Sequence, residues 1–161
     1  LTDVEQLGDA KRLLALDEVA NPHNVGAVAR TAAWFGYDAL ILNTDAKNLN
    51  PAAIRVSQGG VFSLKCFRTR NLAAVLIRLT KRGCPVFGLT QNAPEMIDLA
   101  RPSDTFCLVL GNERTGLSKN THHACSKNIR IGGSGQVESL NISVAAGIAM
   151  AHFIGKSSAS S

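Results

Sequence analysis

The residues best suited to bind a small ligand lie near the C-terminal end of the chain. A β-branched run ending at Ile131 is followed by a glycine-rich loop and three polar residues, Glu138, Ser139 and Asn141. An almost wholly apolar helix is predicted directly after them. Glycines let a backbone approach a ligand, and the first turn of a helix offers unpaired N–H groups. The pattern predicts a ligand site, or more simply a strand-to-helix connection in which Ser139 caps the helix.

The spacing of these glycines argues against a dinucleotide-binding loop. After Gly133 and Gly135, Glu138 stands where the G-x-G-x-x-G pattern requires its last glycine. The loop also lies too near the end of the sequence for a following βαβ unit to supply the acid that binds a ribose.

Two earlier segments also combine glycines with polar residues. Residues 21–36 contain Asn24 and Arg30 and are typical of a loop followed by an alanine-rich helix that ends at a glycine. Residues 108–117 are typical of a buried strand that ends in an acidic turn between two glycines, with Glu113 in the turn. With residues 131–141, these make three candidate segments in order.

Taken in order, the three segments resemble the motifs of the SpoU-type RNA ribose 2′-O-methyltransferases of the SPOUT superfamily. The resemblance spans about Leu13 to Phe153, nearly the whole chain. It implies an S-adenosylmethionine-dependent enzyme that methylates a ribose 2′-hydroxyl of tRNA or rRNA without a metal. It further implies a homodimer and an α/β fold with a C-terminal deep trefoil knot, which sequence physics alone would not select because true knots are nearly absent.

The resemblance also implies roles for individual residues. Arg30 takes the central role at the reacting hydroxyl, with support from other polar residues: Asn24, Glu113, Ser139 and Asn141. Backbone around Thr90, Gly111, Ile131 and Leu140 forms the methyl-donor pocket. Arg55 resembles part of a weaker family signature and suits a phosphate through its forked donors. Arg114 stands where a glycine is common, and either clamps RNA or points to solvent.

Structural alternatives exist for several of these residues. Arg30 could form an ion pair with Glu113, Asn24 could cap a helix starting near Gly26, and Asn141 could bond locally to backbone. Gly132 and Gly133 replace the family's usual Pro and Met, which loosens the loop and puts donor affinity in doubt. That pair keeps open a catalytically idle, knotted RNA-binding module. A nucleotide-binding α/β domain is a further alternative.

Composition agrees with an RNA-binding protein of one domain. The 161 residues carry 17 Lys and Arg against 12 Asp and Glu, a net charge of +5. A basic cluster within a short stretch predicts either RNA contact or a solvated helix face; its members are Lys65, Arg68, Arg70, Arg78, Lys81 and Arg82. No signal peptide or membrane-spanning run is visible, so a cytoplasmic location with no membrane partner is expected.

Cysteine and histidine spacing indicates no metal site. The four cysteines form no C-x-x-C pair and are expected to be buried thiols in a reducing compartment; they are Cys66, Cys84, Cys107 and Cys125. The chain begins at Leu1 rather than Met, which is typical of a fragment. Many relatives carry a separate N-terminal RNA-binding domain that this sequence lacks. Either the full protein is longer, or this domain selects its RNA unaided.

Short apolar strands alternate with helices, which predicts a mostly parallel sheet with helices on both faces. Strands are predicted at Arg12–Val19, Ala39–Leu42, Leu64–Phe67, Val86–Leu89, Phe106–Leu110 and Ile129–Ile131. Helices are predicted at Gly26–Phe35, Pro51–Gln58, Asn71–Arg82, Pro94–Ala100 and Leu140–Ile154. Residues 155–161 are small and polar and are expected to form a frayed tail within a single domain of residues 1–161.

The first and last predicted helices are apolar on more than one side. On the last, Ala146 and Phe153 share one side while Val144 and Ile148 cover the other. One side is expected to pack on the sheet, and the second either on another part of the chain or on a partner subunit. The sequence therefore favours a homodimer built by these two helices.

Overall fold

A seven-stranded parallel sheet organises the chain. A computed structural model of the protein describes residues 4–43 and 49–158. In chain order the strands are β1 (Arg12–Asp17), β2 (Ala39–Asn43), β3 (Lys65–Thr69), β4 (Val86–Leu89), β5 (Glu95–Met96), β6 (Phe106–Leu110) and β7 (Lys127–Arg130). The order across the sheet is β3-β2-β1-β6-β4-β7-β5, and each neighbouring pair is parallel.

Within the described residues, helices cover both faces of this sheet. They are α1 (Pro22–Trp34), α2 (Pro51–Val56), α3 (Leu72–Lys81), α4 (Lys119–Ala124) and α5 (Ile142–Ser158). The apolar sides of α1, α2 and α5 join one core cluster, and α3 joins another with Ala124 of α4 packed against it. The predicted α/β architecture is therefore confirmed.

The central strands β1 and β6 explain the longest apolar runs in the sequence. Both are buried on each face, as strands of a parallel sheet covered by two helical layers must be. Above them, the Phe153 ring of α5 lies 4.9 Å from the Phe87 ring and 5.1 Å from the Phe106 ring, centroid to centroid. These contacts fix α5 over β4 and β6.

The helix predicted at Pro94–Ala100 is wrong. The segment instead forms the two-residue strand β5, which pairs with β7, and then a 3₁₀ turn at Ile97–Leu99. Hydrogen bonds to an open sheet edge outweigh a helical propensity that Pro94 and Asp98 already weaken. The short helix α4 was not predicted, because Thr121 is its only buried residue and it has no apolar stripe.

Several element boundaries also differ from the prediction. Helix α1 begins at Pro22, a turn earlier, because the Asn21 side chain accepts a hydrogen bond from the His23 N–H and proline suits the first helical position. Strand β1 ends at Asp17, since Glu18 adopts a φ of +56°. Ile131 lies just beyond β7.

Helix α5 begins two residues later than predicted and continues beyond the predicted end. It starts at Ile142 and runs to Ser158. The part of the expected frayed tail from Gly155 to Ser158 is therefore helical, while 159–161 lie outside the described residues. Lys156, a basic residue in the last turn of α5, favours this extension through the helix dipole.

Candidate functional site

Three residues predicted to line the donor pocket meet at the carboxyl edge of the sheet. Leu110 of β6 is level with Leu89 of β4, and Leu89 is level with Ile129 of β7. Thr90, Gly111 and Ile131 therefore follow the ends of three adjacent strands, and each is half-buried. The Thr90 N–H donates to the Ile129 carbonyl at 2.9 Å, which extends the pairing to the edge. Ligands of open parallel sheets bind at such edges.

A tight hairpin covers Gly111 and explains the glycine. Asn112 and Gly116 exchange two backbone hydrogen bonds of 3.0 and 2.9 Å, which folds the acidic turn back on itself. A β-carbon at Gly111 would lie 2.3 Å from the Gly116 carbonyl carbon. Backbone cannot yield as a flexible side chain can, so only glycine fits.

Glu113, at the tip of this hairpin, fastens it to the segment before α1. The Glu113 carboxylate accepts from the backbone N–H groups of Ala20 and Asn21 at 3.3 and 3.2 Å, and from Asn24 Nδ2 at 2.9 Å. Burial acts to raise the pKa of Glu113, but these hydrogen bonds together outweigh it and hold the pKa below its usual value. The structure thus joins two of the three sequence motifs through one carboxylate.

Glu113→Gln should loosen this junction. The glutamine amide presents donors where Ala20 and Asn21 also present donors, so we expect a loss on the order of 1 kcal/mol, limited by solvent exposure. The lowered pKa means that the carboxylate stabilises the fold above the unfolded value of about 4.3 and loses this effect as pH falls through the folded pKa. Denaturant unfolding across pH 3–6 should show that dependence weakened in the variant; an unchanged profile would contradict the assignment.

Asn24 and Arg30 are not brought together within one chain. They lie six residues apart on α1, so their side chains point roughly 120° apart around the helix and about 9 Å apart along it. Because Asn24 lies inside the first turn of α1 and bonds to Glu113, the interpretation of Asn24 as a helix cap is wrong. Within the described ranges Arg30 forms no ion pair with Glu113, so that alternative is also wrong.

Arg30 lies instead on the outer stripe of α1, between α5 and the turn after α2. The stripe is formed by His23, Ala27, Arg30 and Trp34. On one side, Gly147 of α5 approaches Thr31. On the other, a β-carbon at Gly60 would lie 2.9 Å from the Arg30 Cα. The backbone of Arg30 is therefore firmly held while its side chain is exposed.

The loop between β7 and α5 is exposed from Gly132 onward. Residues 132–141 are all exposed, including Leu140 at 46%. The Asn141 side chain accepts hydrogen bonds from the backbone N–H and the hydroxyl of Ser143. Asn141 therefore caps α5 by local bonding, and the interpretation of Ser139 as the cap is wrong. Ser139 and Leu140 lie on the approach to α5, beyond the end of β7.

Of the adjacent glycines Gly132 and Gly133 in this loop, only Gly132 has a close neighbour among the described residues. A β-carbon at Gly132 would meet the methyl end of Met96, whereas Gly133 has open space around it. Met96 of β5 therefore fills part of the space beside Gly132. The remaining freedom of the loop is concentrated at Gly133 and at Gly135, which has a φ of +81°.

Two alanine variants in this loop should change the free energy of unfolding of the protein in opposite directions. Gly133→Ala should stabilise the protein by about 0.4–1 kcal/mol, because it restricts the unfolded chain without strain in the folded one. Gly135→Ala should destabilise it by about 1 kcal/mol, because alanine resists a positive φ. Chemical unfolding of the two variants checks this; equal effects would contradict the described loop conformation.

The predicted RNA-contacting residues are exposed but separated. Arg55 lies in the last turn of α2, and Arg114 occupies the acidic hairpin, where its backbone N–H donates to the Asn112 side chain. The basic cluster is divided: Lys65 and Arg68 lie on the edge strand β3, whereas the members on α3 fall in or after its last turn. Since α3 runs antiparallel to the strands, that turn lies at the edge opposite Gly111.

Asp17 is a site residue that the sequence analysis missed. Its carboxylate is buried at the end of β1 and accepts from Asn43 Nδ2 at 2.7 Å and from the Ser118 N–H at 2.8 Å. It therefore connects the segment that follows the acidic hairpin, at Ser118, to β1 and β2. The only sign of this role in the sequence is the position of Asp17, an acid directly after the apolar residues of β1.

Burial is the main influence on the pKa of the four cysteine thiols. Cys84 and Cys107 are buried, Cys66 and Cys125 are half-buried, and burial raises the pKa of each thiol, to about 11 for Cys84 and about 12 for Cys125. The expectation of buried thiols is confirmed for Cys84 and Cys107, but not for Cys66 and Cys125. No metal-binding group of three or more side chains occurs in residues 4–43 and 49–158, and no helix there is long and apolar enough to cross a membrane.

Comparison with known proteins identifies close relatives. The model of the SpoU rRNA Methylase family matches residues 11–151. The 23S rRNA (guanosine-2′-O-)-methyltransferase RlmB of Nitrosomonas europaea is 36% identical over 148 residues, covering 91% of this chain and 57% of that relative. The first relatives are covered over 45% to 62% of their length, so this chain spans about half of such proteins.

Solved structures agree with the family match. The AdoMet-bound rRNA methyltransferase from Sinorhizobium meliloti has a TM-score of 0.79 at 26% identity, covering 94% of this chain and 59% of that one. The SpoU methyltransferase AviRb from Streptomyces viridochromogenes, in complex with AdoMet, has a TM-score of 0.86 at 21% identity, covering 98% and 65%. The second likeness concerns the fold alone.

Proposed function

Because the chain belongs to the SpoU rRNA methylase family, we propose that it transfers a methyl group from S-adenosylmethionine to a ribose 2′-hydroxyl of an RNA. The observation that carries this proposal is the meeting of Thr90, Gly111 and Ile131 at adjacent strand ends, beside the exposed loop 132–141. RlmB, a 23S rRNA (guanosine-2′-O-)-methyltransferase, is a relative with this activity in its name. The RNA is proposed to be rRNA or tRNA.

The residues at the sheet edge fit the proposed donor. An adenosine edge needs backbone amides and carbonyls unobstructed by side chains, and the glycine-rich loop 132–135 with Gly111 offers such backbone. Thr90, Ile131 and Leu140 would complete the pocket with partly exposed surface. When bound, S-adenosylmethionine supplies an electrophilic methyl group.

Arg30 is proposed to act on the nucleophile. The ribose hydroxyl must lose its proton as the oxygen attacks, and an arginine with a pKa above about 12 cannot accept it. The Arg30 guanidinium therefore stabilises the developing alkoxide by charge and hydrogen bonding, and a phosphate of the RNA takes the proton. The exposure of Arg30 on a rigidly packed helix supports this role. Asn24, Glu113, Ser139 and Asn141 are proposed to position the segments around it.

A homodimer is proposed to complete this arrangement. Val144 and Ile148 leave an apolar outer face on α5, exposed at 51% and 43%, beside the Arg30 stripe of α1. Arg30 lies on the exposed stripe of α1, and Asn24 points to a different side of that helix. A second subunit packed on α1 and α5 is therefore proposed to bring its donor pocket to Arg30. The self-complementary contact expected of a two-fold dimer suits two such helices.

A deep trefoil knot is also part of the proposal. β4 and β5 flank β7 in the sheet, so the chain from β4 to β6 passes around β7. The chain then continues from β7 to α5, which packs over Phe87 and Phe106. Threading of α5 through the loop between β4 and β6 is consistent with this order of strands and with the family.

Arg55→Ala should weaken RNA binding without abolishing chemistry. Arg55 is proposed to neutralise one phosphate, so its loss should reduce the slope of log affinity against log salt by about 0.7 for a single strand. Turnover at saturating RNA should change less than affinity does. Filter binding between low and moderate salt measures the slope; a slope equal to that of the wild type would exclude the phosphate contact.

Donor binding and transfer test the proposed function together. Calorimetry with S-adenosylmethionine and with its demethylated product should show heat for both. Incubation with methyl-labelled donor and total RNA lacking the modification should then label the RNA. A folded sample that binds RNA but shows no heat with either compound would identify the idle RNA-binding module, in which Gly132 and Gly133 have weakened donor affinity.

A further inference from the structure

Phe62 is a large aromatic residue left on the surface beside Arg30. It lies in the 3₁₀ turn Gly60–Ser63 and is 77% exposed, whereas its neighbour Val61 is buried in the core. Gly60 of the same turn packs directly against the Arg30 backbone. A β-carbon added at Gly60 would lie 3.4 Å from Ala33 Cβ. An apolar ring is therefore presented to solvent two residues from the contact with Arg30.

The backbone holds this turn in a fixed conformation. Gln58 and Gly59 adopt φ values of +48° and +84°, and the Phe62 N–H donates to the Gly59 carbonyl at 3.0 Å. Ser57 is buried, and its hydroxyl donates to the Ile54 carbonyl at 2.7 Å. Positive φ values held in place by hydrogen bonds cluster at functional sites, and here they fix the position at which Phe62 leaves the turn.

Two exposed arginines lie on the elements next to the Phe62 turn. Arg55 lies in the last turn of α2, seven residues before Phe62, and is exposed, as Arg30 is on the neighbouring helix α1. The apolar face of α5, by contrast, lies on the other side of the Arg30 stripe. The turn that carries the exposed ring follows Arg55 in the chain and packs on the backbone of Arg30. Exposed rings combined with exposed cations are typical of surfaces that bind single-stranded nucleic acid, where rings stack on bases and cations follow the phosphates.

We propose that Phe62 stacks on an unpaired base adjacent to the methylated nucleotide, so that the substrate is single-stranded RNA at this point. The inference rests on the proposed function, because Arg30 marks the position of the reacting ribose. Bases of an A-form duplex are stacked on each other and cannot reach a protein ring, whereas loops and bulges can splay a base outward. Phe62 therefore selects unpaired target sites.

A fluorescent side chain at position 62 tests this directly. Trp34 is the only tryptophan of the chain, so the variant Trp34→Phe/Phe62→Trp carries one reporter at the proposed stacking position. A single-stranded RNA of about 12 nucleotides should quench it. The same strand in a duplex, and an abasic ribose phosphate polymer of equal length, should bind by charge with little quenching.

A matched control uses the opposite face of the sheet. Ile77 on α3 is also exposed, so Trp34→Phe/Ile77→Trp should show no quenching with the same RNA. Phe62→Ala should weaken single-strand affinity on the order of tenfold without changing affinity for the abasic polymer. Phe62→Tyr should retain the affinity, and Phe62→Leu should not, because only an aromatic ring stacks.

The outcomes separate this inference from the proposed function. RNA binding without quenching would overturn it, as would a fall in sedimentation mass for Phe62→Ala, which would make Phe62 a subunit contact. Quenching in a protein that transfers no methyl group would support the stacking role and refute the proposed activity. Methylation without quenching would support the proposed activity and refute the stacking role.

Discussion

Arg30→Ala is expected to slow methyl transfer about 10²–10³-fold, the loss typical of one removed group that stabilises a developing oxyanion. Donor binding should be retained, because Thr90, Gly111 and Ile131 lie at the sheet edge and not on α1. The fold should be retained as well, since the Arg30 side chain is exposed. The measurement is single-turnover methylation with enzyme in excess over RNA.

Arg30→Lys is the informative companion variant. Lysine keeps the charge but lacks the planar fork of donors, so little activity should return. A lysine variant near wild-type rate would indicate that charge alone suffices. An alanine variant with a near wild-type single-turnover rate would make Arg30 structural and refute the proposed mechanism.

Ala146→Glu is expected to unfold the chain rather than merely dissociate a dimer. The sequence placed Ala146 on an apolar side of α5 without distinguishing its two faces, and the structure buries it completely against the core of its own chain. An unpaired carboxylate there should cost on the order of 3–5 kcal/mol, a large part of the stability of a typical domain. Circular dichroism and thermal melting measure the loss.

Ile148→Glu is the matched variant for assembly. Ile148 lies on the outer face of the same helix, where a charge can remain hydrated in the isolated chain. The variant should therefore stay folded and sediment as a monomer, while the wild type sediments as a dimer at micromolar concentration. A monomeric wild type would refute the proposed interface and require an active site complete within one chain.

The fold was predictable from the sequence where burial dominates. The continuous apolar runs of β1, β4 and β6 indicate strands buried on both faces, and apolar periodicity indicates the longer helices between them. Prediction failed for Pro94–Ala100 and α4, which are short and bury few residues. At such segments, pairing with an open sheet edge or a single capping serine decides the structure.

The sequence named candidate site residues but could not predict the contacts between them. The motif resemblance selected Asn24 and Glu113, yet their hydrogen bond joins residues 89 positions apart and depends on how two strands align. Asn141 rather than Ser139 caps α5 because the helix starts two residues later than periodicity suggests. Asp17 was missed because one acid beside an apolar strand gives no local sign of partners in β2 and before α4.

The position of the transferred methyl group tests the central claim most directly. RNA labelled by the enzyme with methyl-labelled donor is digested in alkali, which requires a free 2′-hydroxyl to cleave each linkage. Methylation of the ribose 2′-oxygen predicts that the label is recovered in alkali-resistant dinucleotides. Label recovered in mononucleotides, on a base, would contradict the proposed chemistry even if the fold and donor binding were as described.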